Sequence, residues 1–244
     1  MIDLKIANKI AEIKKVKIFD GLKNEQLIEI LENAQIIHLK KHQNLFSQEQ
    51  KITNFYIILE GMIKLSKLNL KGSEAIINIV DNGSLCDIFS DNFTLSATAI
   101  KNTILLSFPI EIFKNLVKKN HDLLRNIFLE KTLQSHDLID QIYNLKIDDN
   151  KVKIGKFLLK NFLKKGKKNN EIDLEFSKSE IASYLGMRLE TFSRILHNIK
   201  EEESFCIKKN KIISCKENAL CSYCDKEISV DCNVINSKFC QQKK

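Results

Sequence analysis

Four cysteines lie within twenty residues near the end of the chain, a density that the sequence shows nowhere else. Cysteine thiolates bind zinc and iron–sulfur clusters, and two cysteines separated by two residues can share one metal. The first two of the four have this spacing. The sequence therefore predicts a metal site formed by Cys221, Cys224, Cys232 and Cys240.

The spacings from the second to the fourth cysteine leave other interpretations open. The cysteines could instead form a structural zinc site or a disulfide that acts as a redox switch. They could also be incidental residues that bind no metal. Cys215 is a spare ligand candidate. If a carboxylate replaced one thiolate, Asp225, Asp231 or an aspartate of 146–150 could serve as the remaining ligand.

A second group of side chains has the chemistry of DNA recognition. Arginine can donate twice to guanine O6 and N7, and glutamate can accept from cytosine N4. Glu190 and Arg194 are four residues apart, so they share a helix face, and with Ser193 they are the predicted base contacts. The alternative is a surface ion pair between the two charges, worth only ~0.5 kcal/mol. The predicted phosphate contacts are Lys178, Thr191, His197, Lys200, Lys208, Lys209 and Lys211.

Residues 175–215 supply the elements that would position these side chains. Ser177 and Glu180 fit a capping box at the start of one short helix, and Gly186 stands where a tight turn needs positive φ. A second helix is predicted from about Leu189 onward, followed by a hairpin that would form a wing. Helix, glycine turn and helix are typical of a helix-turn-helix.

Residues 36–108 contain short β-branched or alternating runs separated by glycine turns, which predicts a small antiparallel barrel or sandwich. After Pro109 the apolar period becomes helical as far as residue 146, and residues 146–150 are predicted to be a linker. This long helix is either packed on a core or the seam of a dimer. The predicted seam residues are Leu116, Leu124, Ile127, Leu138 and Ile142.

Composition limits the class of protein. The 244 residues are 43% hydrophobic and 29% charged, with a net charge of +8, which is consistent with a nucleic-acid partner. Eight lysines and no acidic residue lie between 151 and 170.

The sequence begins without an apolar secretory segment and has no apolar run long enough for a bilayer, so a cytoplasmic location is expected. The P-loop, G-x-G-x-x-G, H-E-x-x-H and nucleophile-elbow motifs are absent, so no enzyme is expected.

The order of these segments resembles the CRP/FNR superfamily of bacterial transcription regulators over roughly residues 16–218. The stretch "LFSQEQKITNFYIILEGMIKLSKLNLKGSEAIINIVDNG" is similar to its β-roll, and "KSEIASYLGMRLETFSRIL" to its helix-turn-helix. Residues 190–194 match the E-x-x-S-R recognition helix of the FNR-like branch. The resemblance implies a homodimer on palindromic DNA with TTGAT-type half-sites, with the long helix as the seam and RNA polymerase as a further partner.

The resemblance also bears on the ligand of the sensor domain. Members that bind cyclic nucleotides hold the phosphate with an arginine, but Leu95 stands at that position here, and Cys86, Asp87 and Ile88 stand near the position of the ribose-binding glutamate. A cyclic phosphate without its guanidinium would lack its main charge partner, so cyclic AMP is not the expected ligand.

The FNR-like branch implies an oxygen-sensing iron–sulfur cluster whose cysteines precede the β-roll, but no cysteine precedes Cys86. Because another branch carries its cluster behind the winged helix, a [4Fe–4S] cluster on the C-terminal cysteines is the expected cofactor. Zinc and haem are the alternatives, and His38 and His42 are the nearest haem ligand candidates.

The expected fold is α+β, with an N-terminal antiparallel β-roll, a long dimerisation helix and a C-terminal winged helix-turn-helix. The expected domains are a sensor at 1–109, the dimerisation helix at 110–147, the DNA-binding domain at 148–218 and a cysteine-rich tail at 219–244. The expected function is transcription regulation in response to a redox or gas signal, oxygen or nitric oxide.

Overall fold

The computed structural model of the chain describes residues 10–81, 83–85, 90–164, 171–173, 176–203, 205–208, 211–214, 220–225 and 228–229. The chain divides into two compact units, Met1–Asp140 and Gln141–Lys244. Among the helices in these ranges, none combines the length and the apolar character needed to span a membrane.

The first unit is built around two antiparallel sheets of four strands each. One sheet has the strand order β1-β8-β3-β6 and the other β2-β7-β4-β5. Burial alternates over the first four residues of β3, whereas β8, which pairs with β1 and β3, is buried along nearly its whole length. The strands are β1 (Gln35–Leu39), β2 (Asn44–Phe46), β3 (Asn54–Glu60), β4 (Ile63–Leu68), β5 (Glu74–Val80), β6 (Gly83–Ser84), β7 (Ser96–Ala99) and β8 (Thr103–Pro109).

Helices close the core of this unit. They are α1 (Ile10–Ile13), a 3₁₀ turn (Lys17–Phe19), α2 (Asn24–Leu31), α3 (Ile110–Lys119) and the first part of α4 (His121–Ile147), whose last residues belong to the second unit. Phe113 of α3 stacks on Phe55 with ring centroids 4.0 Å apart and lies 5.1 Å from Phe108. All three rings are fully buried, so α3 is fixed on the sheet by aromatic packing.

The single helix expected from residue 110 to 146 is divided into two at Asn120. The backbone of Asn120 is extended, and its N–H donates to the carbonyls of Leu116 and Val117, which closes α3. Its side-chain Oδ1 accepts a hydrogen bond of 3.0 Å from the amide of Leu123 and so caps α4. Periodicity did not reveal the break because both helices are apolar on one side.

The second unit holds α5 (Asn150–Lys164), β9 (Glu171–Asp173), α6 (Lys178–Tyr184), α7 (Leu189–Glu203), β10 (Phe205–Lys208), β11 (Lys211–Ser214) and a 3₁₀ turn (Cys221–Tyr223). The expected linker between α4 and α5 is short, because Asp149 caps α5 by accepting from the amides of Lys151 and Val152. The expected hairpin is present as β10 and β11, and β9 joins it as a third antiparallel strand that the sequence did not reveal.

Gly61 lies in a tight turn between β3 and β4. Its φ is +117°, and a β-carbon there would overlap both the backbone and Oγ1 of Thr103. Thr103 is buried, and its hydroxyl oxygen accepts from the amide of Met62 at 3.1 Å. The turn between β3 and β4 therefore requires glycine at position 61.

The variant Gly61→Ala is expected to lower the free energy of unfolding by roughly 2–6 kcal/mol, the combined cost of positive φ and of overpacking. Gly72→Ala is the matched control, because Gly72 also has positive φ (+77°) but no atom within 4 Å of an added β-carbon. The control should lose only the backbone cost, about 1–2 kcal/mol. Urea unfolding followed by circular dichroism measures both, and equal losses would contradict the packing explanation.

Candidate nucleic-acid interface

The start of α6 is fixed by the capping box that the sequence predicted. The amide of Glu180 donates to Oγ of Ser177 at 3.2 Å, and the amide of Ser177 donates to a carboxylate oxygen of Glu180 at 2.8 Å. Two amides that a helix terminus leaves without partners are thereby satisfied. The reciprocal bonds set where α6 begins and so fix the register of the turn that follows it.

The turn between α6 and α7 is also as predicted. Gly186 has φ +66°, and its amide donates to the carbonyl of Ser183. The amide of Met187 donates to the carbonyl of Ala182, a buried residue whose small side chain permits a close crossing of the two helices. Ile181 of α6 and Leu185, the residue after its end, are buried as well.

Helix α7 has one buried and one exposed face. Phe192, Leu196 and Ile199 are almost completely buried. Glu190 and Arg194 are exposed on the other side, one helical turn apart. Of the remaining predicted base and phosphate contacts on these helices, Lys178 and His197 are exposed, whereas Thr191, Ser193 and Lys200 are half-buried.

The remaining predicted phosphate contacts belong to the hairpin. Lys208 ends β10 and is paired in register with Lys211, which begins β11. Lys209 lies outside the described residues. His197 also has a neighbour that the sequence did not suggest, since its Nε2 lies 3.3 Å from a carboxylate oxygen of Glu201.

The most informative contact that sequence reasoning missed is the docking of the first tail residues on α5. A β-carbon at Gly155 would overlap the ring of Tyr223, so the ring lies directly on the backbone of α5. The carboxylate of Glu203 accepts from the amide of Leu220 at 3.1 Å and from the hydroxyl of Ser222 at 2.6 Å. The segment Leu220–Asp225, here named the cysteine turn, is therefore held by α5 and by the last residue of α7.

Charges complete this docking. Nζ of Lys156 lies 2.8 Å from Asp148 Oδ2 and 2.9 Å from Asp225 Oδ2. Burial alone would lower the pKa of Lys156, but its bonds to these two carboxylates raise it above the ordinary lysine value. Burial opposes ionisation of Asp225, yet the amide of Ile228 and the ammonium of Lys156 lower its pKa below the ordinary aspartate value. Lys156 and Asp225 are therefore both charged at neutral pH.

Two of the four predicted metal ligands lie in the cysteine turn. Cys221 and Cys224, the second and fifth residues of the cysteine turn, are half-buried, and the amide of Cys224 donates to the carbonyl of Cys221 at 3.1 Å. Cys215, Cys232, Cys240 and Asp231 fall outside the described residues. Within the part of the chain that the structure describes, no three histidine, cysteine, aspartate or glutamate side chains converge on one point.

The first unit has a small cavity among its strands. The residues that line it are Phe46, Ile52, Leu65, Leu85, Ser90, Asn92, Phe93, Thr94 and Leu95. None of these described lining residues is charged, and Leu95, which stands at the expected position of a phosphate-binding arginine, is among them. Cys86, Asp87 and Ile88 lie outside the described residues. His38 and His42, the haem ligand candidates, are exposed and are not among the lining residues.

Helix α4 carries an exposed series of apolar side chains. Among the predicted seam residues, Leu124 and Ile142 are exposed and Leu138 is half-buried. Leu116 and Ile127 belong instead to the buried core of the first unit, because α3 and the start of α4 pack on the sheets. The further exposed apolar residues of α4 are Phe128, Leu129, Leu133, Ile139, Tyr143 and Ile147.

Two protein-family models match the chain. Residues 36–120 match the cyclic nucleotide-binding domain, and residues 152–223 match the Crp-like helix-turn-helix domain. The second match includes Tyr223 and so extends into the cysteine turn. The helix-turn-helix and the β-roll expected from the sequence are confirmed.

Relatives among characterised proteins are transcription regulators. The nitrogen fixation regulation protein FixK of Bradyrhizobium diazoefficiens is 26% identical over 178 residues, covering 70% of this chain and 74% of the relative. The fumarate and nitrate reduction regulatory protein of Vibrio cholerae is 26% identical over 190 residues, covering 75% of each chain. The expectation that the chain is not an enzyme is confirmed by these matches.

Solved structures confirm the fold class. FixK2 from Bradyrhizobium japonicum superposes with a TM-score of 0.69 at 17% identity, covering 79% of this chain and 98% of that one. A regulator of the CRP/FNR family from Eubacterium rectale gives a TM-score of 0.67 at 20% identity, covering 84% and 96%. At these identities the similarity establishes the architecture alone.

Proposed function

We propose that this chain, which joins the cyclic nucleotide-binding and Crp-like helix-turn-helix domains of the CRP/FNR-type transcription regulators, is a homodimeric regulator that binds palindromic DNA with TTGAT-type half-sites. The observation that carries the proposal is the exposure of Glu190 and Arg194 on one face of α7 while the other face is buried. A helix fixed in this way can present side chains to the major groove.

The two charged residues suit the single G·C pair of such a half-site. Arg194 would donate to guanine O6 and N7, Glu190 would accept from cytosine N4, and Ser193 would add a hydroxyl contact. The lysines of α6, α7 and the hairpin, with Thr191 and His197, would contact phosphates and set the register without reading sequence. RNA polymerase is the expected protein partner once the dimer is bound.

The variant Arg194→Ala should weaken binding to a palindromic TTGAT duplex by roughly 1–3 kcal/mol, because a bidentate contact is lost. Binding to a scrambled duplex of equal length should change much less, so the ratio of the two affinities falls. Arg188→Ala is the matched control: Arg188 is exposed, carries the same charge and precedes α7. Arg188→Ala should weaken binding to both duplexes by the same factor. Fluorescence anisotropy at fixed salt measures both affinities. An unchanged ratio for Arg194→Ala would refute the base-reading role.

Dimerisation is proposed to occur along α4. Its exposed apolar residues include Leu124, Phe128 and Ile142, the second of which is 72% exposed. Apolar side chains at helical spacing on a long exposed helix are typical of a coiled-coil seam. A palindromic site is matched by a twofold symmetric dimer, so the seam and the half-site proposal support each other.

The variant Ile142→Glu should convert the dimer into a monomer, because a carboxylate on each helix would have to be buried at an apolar seam. Sedimentation velocity measures the change. Asp137→Lys is the control, since residue 137 is five positions earlier and therefore roughly 140° around the helix from Ile142. The control should remain a dimer; a dimer in both variants would place the seam elsewhere.

For the signal we favour redox chemistry at the C-terminal cysteines. Cys221 and Cys224 lie at the two ends of one turn with partly accessible side chains, as two ligands of one metal require. With Cys232 and Cys240 they would hold a [4Fe–4S] cluster, which would supply sensitivity to oxygen or nitric oxide. The relatives named for fumarate and nitrate reduction support a redox signal. The described residues that line the β-roll cavity include no charged side chain to pair with a phosphate, which argues against cyclic AMP.

The proposed response is a shift between dimer geometries that bind DNA and geometries that do not. Protein purified without oxygen should therefore absorb broadly near ~400 nm and contain stoichiometric iron and sulfide. Replacing Cys221 and Cys224 together by serine should remove the colour, whereas the control Cys206→Ser should retain it. A colourless protein that contains zinc would identify a structural zinc site instead of a cluster. A protein that stays metal-free after reconstitution would exclude a metal site and make the β-roll the place to search for the signal.

A further inference from the structure

The side chain of Lys156 connects three parts of the second unit. Its ammonium lies 2.8 Å from Asp148, in the junction between α4 and α5, and 2.9 Å from Asp225, at the end of the cysteine turn. It also donates to Oδ1 of Asn144 in the last turns of α4 at 3.2 Å. Only 16% of the Lys156 side chain and 13% of the Asp148 side chain are exposed. These contacts are therefore screened less by water than ordinary surface pairs.

The same turn touches the recognition helix. Glu203, the last residue of α7, accepts from Leu220 and Ser222, and Tyr223 lies on Gly155. A glycine inside a helix costs roughly 1 kcal/mol relative to alanine, so Gly155 is a site where helix propensity yields to the docking of the ring. The cysteine turn thus contacts both the junction that follows α4 and the end of the helix proposed to read DNA.

We propose that Lys156 is a positioning residue that couples the cysteine turn to the DNA-binding helices, so that docking of the turn on α5 favours DNA binding. The inference rests on the proposed DNA-binding function. When the turn is docked, one ammonium neutralises carboxylates from the junction and from the turn, and the end of α7 is tied to the same segment. When the turn leaves, Asp225 and Tyr223 leave with it and the junction loses one of its restraints.

Any chemical change at Cys221 or Cys224 that is incompatible with the docked turn would then lower DNA affinity. Metal binding or oxidation at these thiols needs no direct contact with DNA to act in this way. Coupling of this kind is reciprocal, so bound DNA must also stabilise the docked turn by the same factor. That reciprocity gives a test that does not depend on which modification occurs in the cell.

The test uses amide hydrogen exchange of the peptide around residues 220–229 in the full-length protein, with and without a palindromic TTGAT duplex. The amide of Leu220 reports docking, since it donates to Glu203 of α7, and the amide of Ile228 reports local order of the segment, since it donates to Asp225. In the wild-type protein, DNA should slow exchange of this peptide by about tenfold, within the usual range of couplings between sites. Lys156→Met should abolish this slowing and weaken binding to the duplex by a similar factor.

Lys151→Met is the matched control, because Lys151 is on the same helix, carries the same charge and forms its ion pair with Glu202 of α7 instead of with Asp225. It should retain the slowing of exchange by DNA. If Lys156→Met fails to fold, as judged by circular dichroism, Asp225→Asn removes the same link from the turn side and should give the same result.

The outcomes separate the two proposals. A wild-type protein that does not distinguish the palindrome from a scrambled duplex would refute the proposed function. A protein that does distinguish them, but whose turn exchanges equally fast with and without DNA, would refute only the coupling. Slowing that persists in Lys156→Met would show that DNA covers the turn directly or that Lys156 is merely structural, and would also overturn the inference.

Discussion

A helix can hold side chains against base edges only if its opposite face is fixed, and in this chain the burial of Phe192, Leu196 and Ile199 fixes α7. Their burial determines which face of α7 remains exposed, and hence that Glu190 and Arg194 point away from the unit. The capping box of α6 and the positive φ of Gly186 serve the same end, because they set the crossing of the two helices. Without that core, the recognition chemistry would have no defined direction.

Local signals explain why this part of the fold could be predicted from the sequence. The capping box involves residues three apart, and the turn depends on the φ of a single glycine. Both features can therefore be recognised from a few neighbouring residues. The break at Asn120 is also local, but apolar residues on both sides concealed it. The burial of Leu116 and Ile127 is different, since it depends on sheets formed by residues 35–109, and helical periodicity alone cannot distinguish such a core face from a dimer seam.

Gly155 shows most clearly what the sequence conceals. In the sequence, a glycine within a lysine-rich helical segment indicates only lower helix stability. The structure shows that a side chain at position 155 would overlap the ring of Tyr223. Ion pairs also change the interpretation of the lysine-rich segment 151–170. Lys151 pairs with Glu202, and Lys156 with Asp148 and Asp225, so these lysines belong to the internal charge balance of the unit and are not simply available to phosphates.

A regulator needs a site whose occupancy changes the energy of its DNA-binding state, and the described residues offer two candidate locations. The described residues that line the β-roll cavity are uncharged, so none of them offers a charge partner for a phosphate. The cysteine turn has thiols, lies on the helix that follows the junction, and is bonded to the last residue of α7. A signal acting there has a direct physical route to the recognition helix, because the bonds it must break are the ones that hold that helix end. These contacts support the proposal that the signal acts at the cysteine turn.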